Sequence, residues 1–258
     1  MAFLKRHGLS PSKGLGQHFL SSSKVVSRIA DRFEGFAGLL EIGPGPGVLS
    51  QGLSERVEDF VAIELDVRMR AMLAESAPRV RLVVGDALQV DFDQILESLP
   101  EPRGVVSNLP YYITGPLLQK IAEARESWSK AVLMMQKEVG VRILAAPGSR
   151  ERGSLSVYLQ ALFEVNKVCD VPAGAFLPPP KVDSVVLELV PRAVSYSEEF
   201  FAFVRGGFKQ PRKTLANNLA AMGYKRSLVV EAKLDELIRP QSLSLSEWEE
   251  IFRGSQNS

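Results

Sequence analysis

A doubly wound, Rossmann-like α/β sheet followed by a small α-helical domain is the fold this sequence predicts. Three observations predict it. Short apolar runs that read as buried parallel strands alternate with helical stretches through the first two thirds of the chain. The first run enters a glycine-rich turn that opens a helix, and four successive runs each close on a polar group. After Pro191 the strand signals stop and only helical patterns remain.

The first strand is Leu39-Leu40-Glu41-Ile42, leading into Gly43-Pro44-Gly45-Pro46-Gly47 and a helical stretch, Val48 to Leu53. Strand, glycine turn and helix in that order are the context a nucleotide-type fingerprint requires. A second strand, Phe60 to Glu64, ends in an acid placed to accept from ribose hydroxyls. The third, Val80 to Gly85, ends at Asp86, and the fourth, carrying Val105-Val106, ends in Asn108-Leu109-Pro110-Tyr111. Later strands are expected over Ala131 to Met135, Ala161 to Val168 and Ser184 to Val190, the last as an antiparallel edge because its side chains alternate. Helices are expected over Glu198 to Phe208, Lys213 to Met222, Ser227 to Leu237 and Ser246 to Arg253. Ser244 and Ser246 with Glu247 supply helix-start chemistry for the last. The expected organisation is a catalytic domain over 1–191 and a helical domain over 192–258.

The backbone donors of the glycine turn indicate the ligand. A pyrophosphate cradle points backbone N–H groups at anionic oxygens. Pro44 and Pro46 remove two such donors, and the spacing is Gly-x-Gly-x-Gly rather than Gly-x-Gly-x-x-Gly. Both features disfavour a dinucleotide and favour S-adenosyl-L-methionine, which has an adenosine and an amino-acid end but no phosphate. Gly43 and Gly45 then let the backbone approach the methionine part, Glu64 holds the ribose and Asp86 accepts from the adenine amine. One acid at a strand end reads equally well as a solvated carboxylate; two in register with Asn108 point to a ligand. Asn108 Oδ1 and the Leu109 carbonyl can accept both hydrogens of an exocyclic amine, Tyr111 can stack on its ring, and Pro110 stiffens the turn.

These motifs resemble those of the bacterial small-subunit (16S) rRNA adenine N6,N6-dimethyltransferases, the kasugamycin-sensitivity enzymes. Lys13-Gly14-Leu15-Gly16-Gln17-His18-Phe19-Leu20 is similar to that family's N-terminal Gly-Gln-Asn-Phe-Leu motif. Glu41 to Gly47, Glu64, Gly85-Asp86 and Asn108 to Tyr111 fall on its cofactor and catalytic motifs. Gln136 to Val139, Phe176 to Ser184 and Arg212-Lys213-Thr214 match its later blocks. The resemblance implies a Rossmann-like methyltransferase sheet, S-adenosyl-L-methionine as cofactor and the small ribosomal subunit as partner. It places His18, Leu20 and Glu41 beside the cofactor and tips Lys209, Arg212 and Lys213 towards RNA backbone contact; Lys13, in the acid-free N-terminal segment, is expected on RNA as well. Phe176 has two readings, a ring closing the second face of the base or a core anchor before Pro178-Pro179-Pro180. The chain departs from the family where His18 replaces the usual Asn and Pro46 the usual Leu. The histidine reads either as a cofactor neighbour with an altered pH response or as a half-exposed loop residue.

The 258 residues are 45% hydrophobic with 31 basic and 30 acidic side chains, a composition that suits a globular protein with one full core and a small second domain. Cys169 is the only cysteine, which excludes a disulfide framework, and flanking valines suggest a packed thiol. With His7 and His18 the only histidines, no Cys/His metal cluster can be assembled. No apolar run approaches the roughly 20 residues that span a bilayer, and no signal-type apolar core opens the chain, so the cytoplasm is the expected location; a monomer is expected as well. Charge is segregated. Neither 1–30 nor 201–230 contains an acid, and both carry several Lys and Arg; either segment alone reads as a solvated helix face, the two together as a phosphate-contacting surface. Alternatives are a macrolide-resistance type dimethyltransferase acting on large-subunit rRNA, a DNA adenine methyltransferase, or a ribosome-assembly factor without catalysis.

Overall fold

The computed structural model describes Arg6 and residues 17–256. Among these, β1 (Phe19–Leu20) forms a small antiparallel ribbon with β8 (Phe176–Leu177), pairing Leu20 with Phe176. The central sheet is built from β2 (Gly38–Ile42), β3 (Asp59–Glu64), β4 (Arg81–Val84), β5 (Arg103–Asn108), β6 (Lys130–Gln136), β7 (Phe163–Val171) and β9 (Ser184–Pro191). Their spatial order is β4-β3-β2-β5-β6-β9-β7, with β4 to β6 parallel and β9 antiparallel to β6.

Strand direction explains the composition. Leu39, Leu40, Val61, Ile63, Val105, Val106, Val132 and Leu133 are all buried, because a parallel sheet is covered on both faces. Each such side chain is worth about 1.5–3 kcal/mol when taken from water. Gly104 sits where a Cβ would come within 2.5 Å of Phe33, so the residue beneath that ring has no side chain. The chain order reverses at β2: β3 and β4 lie to one side, β5 and β6 to the other. This is the switch point at which open α/β sheets leave a crevice beyond their strand ends.

Several elements differ from expectation. β9 is antiparallel but not an edge, since β7 lies outside it. Its one acid, Glu188, is buried and offset by Lys130 Nζ at 3.6 Å and Arg32 Nη1 at 3.9 Å. Ala161 and Leu162 complete the helix Ser154–Leu162 rather than opening β7. A short apolar run fits helix or strand alike, and periodicity does not separate them. The helix expected over Ser227 to Leu237 is only Leu228–Glu231; Lys233 adopts φ +58° and its N–H donates to the Val230 carbonyl, ending the turn. The last helix, Leu245–Ser255, starts as anticipated, with Ser244 and Glu247 exchanging capping hydrogen bonds.

The chain divides into two compact units, 1–140 with 165–191, and 141–164 with 192–258. A single boundary at 191 therefore does not describe the segment 141–164. Within the second unit Tyr158 packs on Phe201 at 4.7 Å, the Gly148 N–H donates to the Gln241 carbonyl and the Arg192 N–H to the Leu162 carbonyl. No periodicity announces those contacts. Cys169 is a buried thiol among apolar neighbours, as its flanking valines indicated. Among the described residues no helix is long and apolar enough to cross a membrane.

Trp248 is fully buried in the second unit, stacked on Phe208 at 5.5 Å and edge-on to Phe203. Trp248→Ala should cost that unit about 3–5 kcal/mol, the usual penalty for emptying a large aromatic site. Urea unfolding followed by circular dichroism reads this out; a loss below 1 kcal/mol would place the anchor elsewhere.

Candidate active site

In the first unit, the carboxyl ends of β2, β3, β4 and β5 open on one crevice. Register brings them level: Ile42 pairs with both Ile63 and Ser107, and Glu64 with Val84. Each of the four polar positions read from the sequence lies on this crevice, namely the glycine turn, Glu64, Asp86 and Asn108. His18, Leu20 and Glu41 line it as well.

The glycine turn is held open from within. Gly43, Gly45 and Gly47 have φ of +72°, +55° and +85°, values that side chains rarely adopt. A Cβ on Gly43 would meet no atom within 4 Å, so the space left free there is crevice, whereas one on Gly47 would strike Ser76 and Leu73. The prolines fit because the turn is closed by the Gly47 N–H donating to the Pro44 carbonyl at 3.0 Å.

Glu64 ties the turn to β3. Its carboxylate accepts from the Gly45 N–H at 2.9 Å and the Asp66 N–H at 2.7 Å. A carboxylate has about four acceptor positions, so lone pairs remain for ribose hydroxyls. Burial raises its pKa, and the donated N–H groups of Asp66 and Gly45 hold the rise in check. Asp66, which the sequence reading passed over, is lowered chiefly by Arg68, whose Nε and Nη2 approach at 2.8 and 2.6 Å. Gln17 Nε2 donates to Asp66 at 3.0 Å. The signal for this pair was present, since Gln17 stands inside the N-terminal motif and Asp66 two residues beyond Glu64. Asp86 turns its own loop, accepting from the Leu88 N–H at 2.9 Å.

Asn108 and its neighbours are equally constrained. Asn108 Nδ2 donates to the His18 carbonyl at 3.1 Å. A carbonyl can only accept, so the contact fixes which end of the carboxamide is the oxygen. The Leu109 N–H donates to the Met134 carbonyl at 2.9 Å, anchoring the turn to β6. The Pro110 carbonyl is taken by the Ile113 N–H and Thr114 Oγ1. The Tyr111 hydroxyl bonds Ser184 Oγ at 2.8 Å, and burial raises its pKa. Tyr112 is exposed on the rim.

Phe176 is corrected. It is 1% exposed, pairs with Leu20 and belongs to the apolar core, so it cannot close the second face of a base. Lys13 lies outside the described residues. Lys209, Arg212 and Lys213 are exposed in the loop between the helices Glu198–Gly207 and Leu215–Ala221. The buried Asn218 clamps that loop, accepting from the Gln210 N–H at 2.9 Å and donating to the Gln210 and Thr214 carbonyls at 3.1 Å. Among the described residues no group of three metal-ligating side chains is found.

Sheet order, glycine turn and strand-end acids define the class, a Rossmann-like methyltransferase. The model of the family "Ribosomal RNA adenine dimethylase" matches residues 9–253, and the chain belongs to that family. It is 40% identical to the ribosomal RNA small subunit methyltransferase A of Moorella thermoacetica over 279 aligned positions, 100% of this chain and 96% of the relative. It is also 40% identical to the protein of that name from Geobacter sulfurreducens, over 97% of each. Among solved structures, a dimethyladenosine transferase from Plasmodium falciparum superposes with a TM-score of 0.76 at 25% identity, covering 93% of this chain and 98% of that one. The 23S rRNA methyltransferase ErmE gives 0.70 at 26%, covering 92% and 99%.

Glu41 at the end of β2 is fully enclosed, accepts a hydrogen bond from Ser50 Oγ, and is pushed up to about 8, chiefly by burial. The unfolded carboxyl ionises near 4.5, so between 4.5 and 8 the folded protein holds a proton the unfolded chain has lost. Stability contributed here is fully present below 4.5 and is lost as pH rises through about 8. Glu41→Gln removes the titration, and its stability relative to wild type should rise steadily between those limits. Denaturation midpoints across pH test this; a difference flat with pH would show that Glu41 ionises normally.

Proposed function

We propose that the protein transfers methyl groups from S-adenosyl-L-methionine to N6 of two adjacent adenosines near the 3′ end of small-subunit rRNA, in the cytoplasm during ribosome biogenesis. The observation that carries this reading is the Asn108-Leu109-Pro110-Tyr111 turn, fixed beside a crevice with acids at two neighbouring strand ends. The open space at Gly43, the spare lone pairs of Glu64 and the acceptor on Asp86 fit an amino acid, a ribose and an adenine amine in that order. The relatives' names support the substrate class. Bound S-adenosylmethionine supplies an electrophilic methyl.

The chain's own residues do the rest. An adenine N6 lone pair is delocalised into the ring and is a poor nucleophile. Asn108 Oδ1, aimed by the His18 carbonyl, and the Leu109 carbonyl accept the two amine hydrogens, favouring a pyramidal nitrogen with its lone pair free. These acceptors also face the positive charge that develops on nitrogen. Tyr111 supplies a stacking face for an adenine taken out of its helix. The aminium formed loses its proton to water, so no histidine base is required. Lys209, Arg212 and Lys213 contact phosphates, giving affinity and position without sequence readout.

The test is transfer of labelled methyl to small subunits lacking their adenine dimethyl marks, with free rRNA, large subunits and duplex DNA alongside and nucleosides identified by mass spectrometry. Dimethyladenosine in adjacent small-subunit positions is expected. A monomethylated amine has one N–H left, so Asn108→Ala should slow both rounds and shift the mono- to dimethyl ratio. An unchanged ratio at a lower rate would sink the two-acceptor account. Label only in large subunits would move the chain to the resistance type; tight subunit binding without label would favour an assembly factor.

A further inference from the structure

We infer that His18 is a positioning residue for the base-stacking tyrosine, through ring contacts rather than through the cofactor. The inference rests on the catalytic reading of Asn108 and Tyr111 given above. Two parts of His18 act on that turn. Its main-chain carbonyl accepts from Asn108 Nδ2 at 3.1 Å, a contact that survives any side-chain change. Its imidazole lies on the Tyr111 ring, with centroids 5.8 Å apart and planes at 26°. That geometry is an offset stack, the arrangement aromatic quadrupoles favour.

The imidazole is itself anchored. Nδ1 lies 2.9 Å from the Pro178 carbonyl. Since the carbonyl cannot donate, Nδ1 carries the hydrogen and the ring plane is set by the proline-rich loop. The loop is docked on the same N-terminal segment twice more: the Ser21 N–H and Oγ both donate to the Ala175 carbonyl, at 2.8 and 2.9 Å. Six residues past Pro178, the buried Ser184 bonds the Tyr111 hydroxyl at 2.8 Å. Tyr111 is thus held by its face and by its hydroxyl, from segments 93 and 73 positions away in sequence.

Separate substitutions divide the two contacts of the imidazole. His18→Phe keeps the stack and loses the bond to Pro178; His18→Asn keeps a polar group and loses the stack; His18→Ala loses both.

Methyl transfer to unmethylated small subunits, with S-adenosylhomocysteine affinity by calorimetry, tests the inference. His18→Ala and His18→Asn should lower kcat/KM roughly three- to tenfold, the scale of one ring–ring contact. Cofactor-product affinity should stay within about twofold of wild type, and His18→Phe should recover most of the rate. In a Tyr111→Ala background His18→Ala should have no further effect, because the two act as one unit. A matching fall in S-adenosylhomocysteine affinity would return His18 to the cofactor site and overturn the inference. So would additive losses in the double variant, or no rate loss in His18→Ala while Tyr111→Ala is impaired. Full activity in Tyr111→Ala would instead overturn the catalytic reading beneath it.

Discussion

The alignment of β3, β2 and β5 is the constraint on which the rest of the site depends. Because Ile42 is level with Ile63 on one side and Ser107 on the other, three strands end together. Parallel strands then deliver their next residues to a single crevice with no further arrangement. A one-residue slip would turn every side chain of a strand to the opposite face and separate the glycine turn from its acid. Burial on both faces of the sheet makes that slip costly. Functional geometry and core packing are therefore secured by the same contacts.

Polar groups at this edge serve the protein before they serve a ligand. Glu64 takes two backbone N–H groups, Asp66 is gripped by Arg68 and Gln17, and Asn108 is committed at one end to His18. Each group is oriented before anything binds, so little ordering remains to be done on association. Burial is the offsetting cost. It presses both Glu41 and Glu64 towards their neutral forms, and the hydrogen bonds each accepts relieve only part of that pressure.

Much of this was legible because it is local. The glycine turn needs left-handed backbone at Gly43, Gly45 and Gly47, and a sequence declares that by composition. Strand ends are marked by the change from apolar to polar residues, which located Glu64, Asp86 and Asn108. Long-range contacts leave no such mark. That Phe176 faces the core, that Ser184 reaches Tyr111, and that β7 covers β9 all depend on pairings between distant segments. The segment 141–164 belongs with the C-terminal helices for the same reason. The shortened helix at Leu228–Glu231 is a local failure, where Lys233 in a left-handed conformation stopped a pattern that otherwise reads as helical.

The central claim is that one nucleoside cofactor lies across the carboxyl ends of β2, β3 and β4 with its reactive end towards Asn108. A crystal structure with S-adenosylmethionine bound tests it most directly. The account predicts ribose hydroxyls within about 3 Å of Glu64, the adenine amine at a similar distance from Asp86, and the methyl directed at the Asn108 turn. Density elsewhere, or a cofactor in this crevice with its methyl turned away from Asn108, would contradict it.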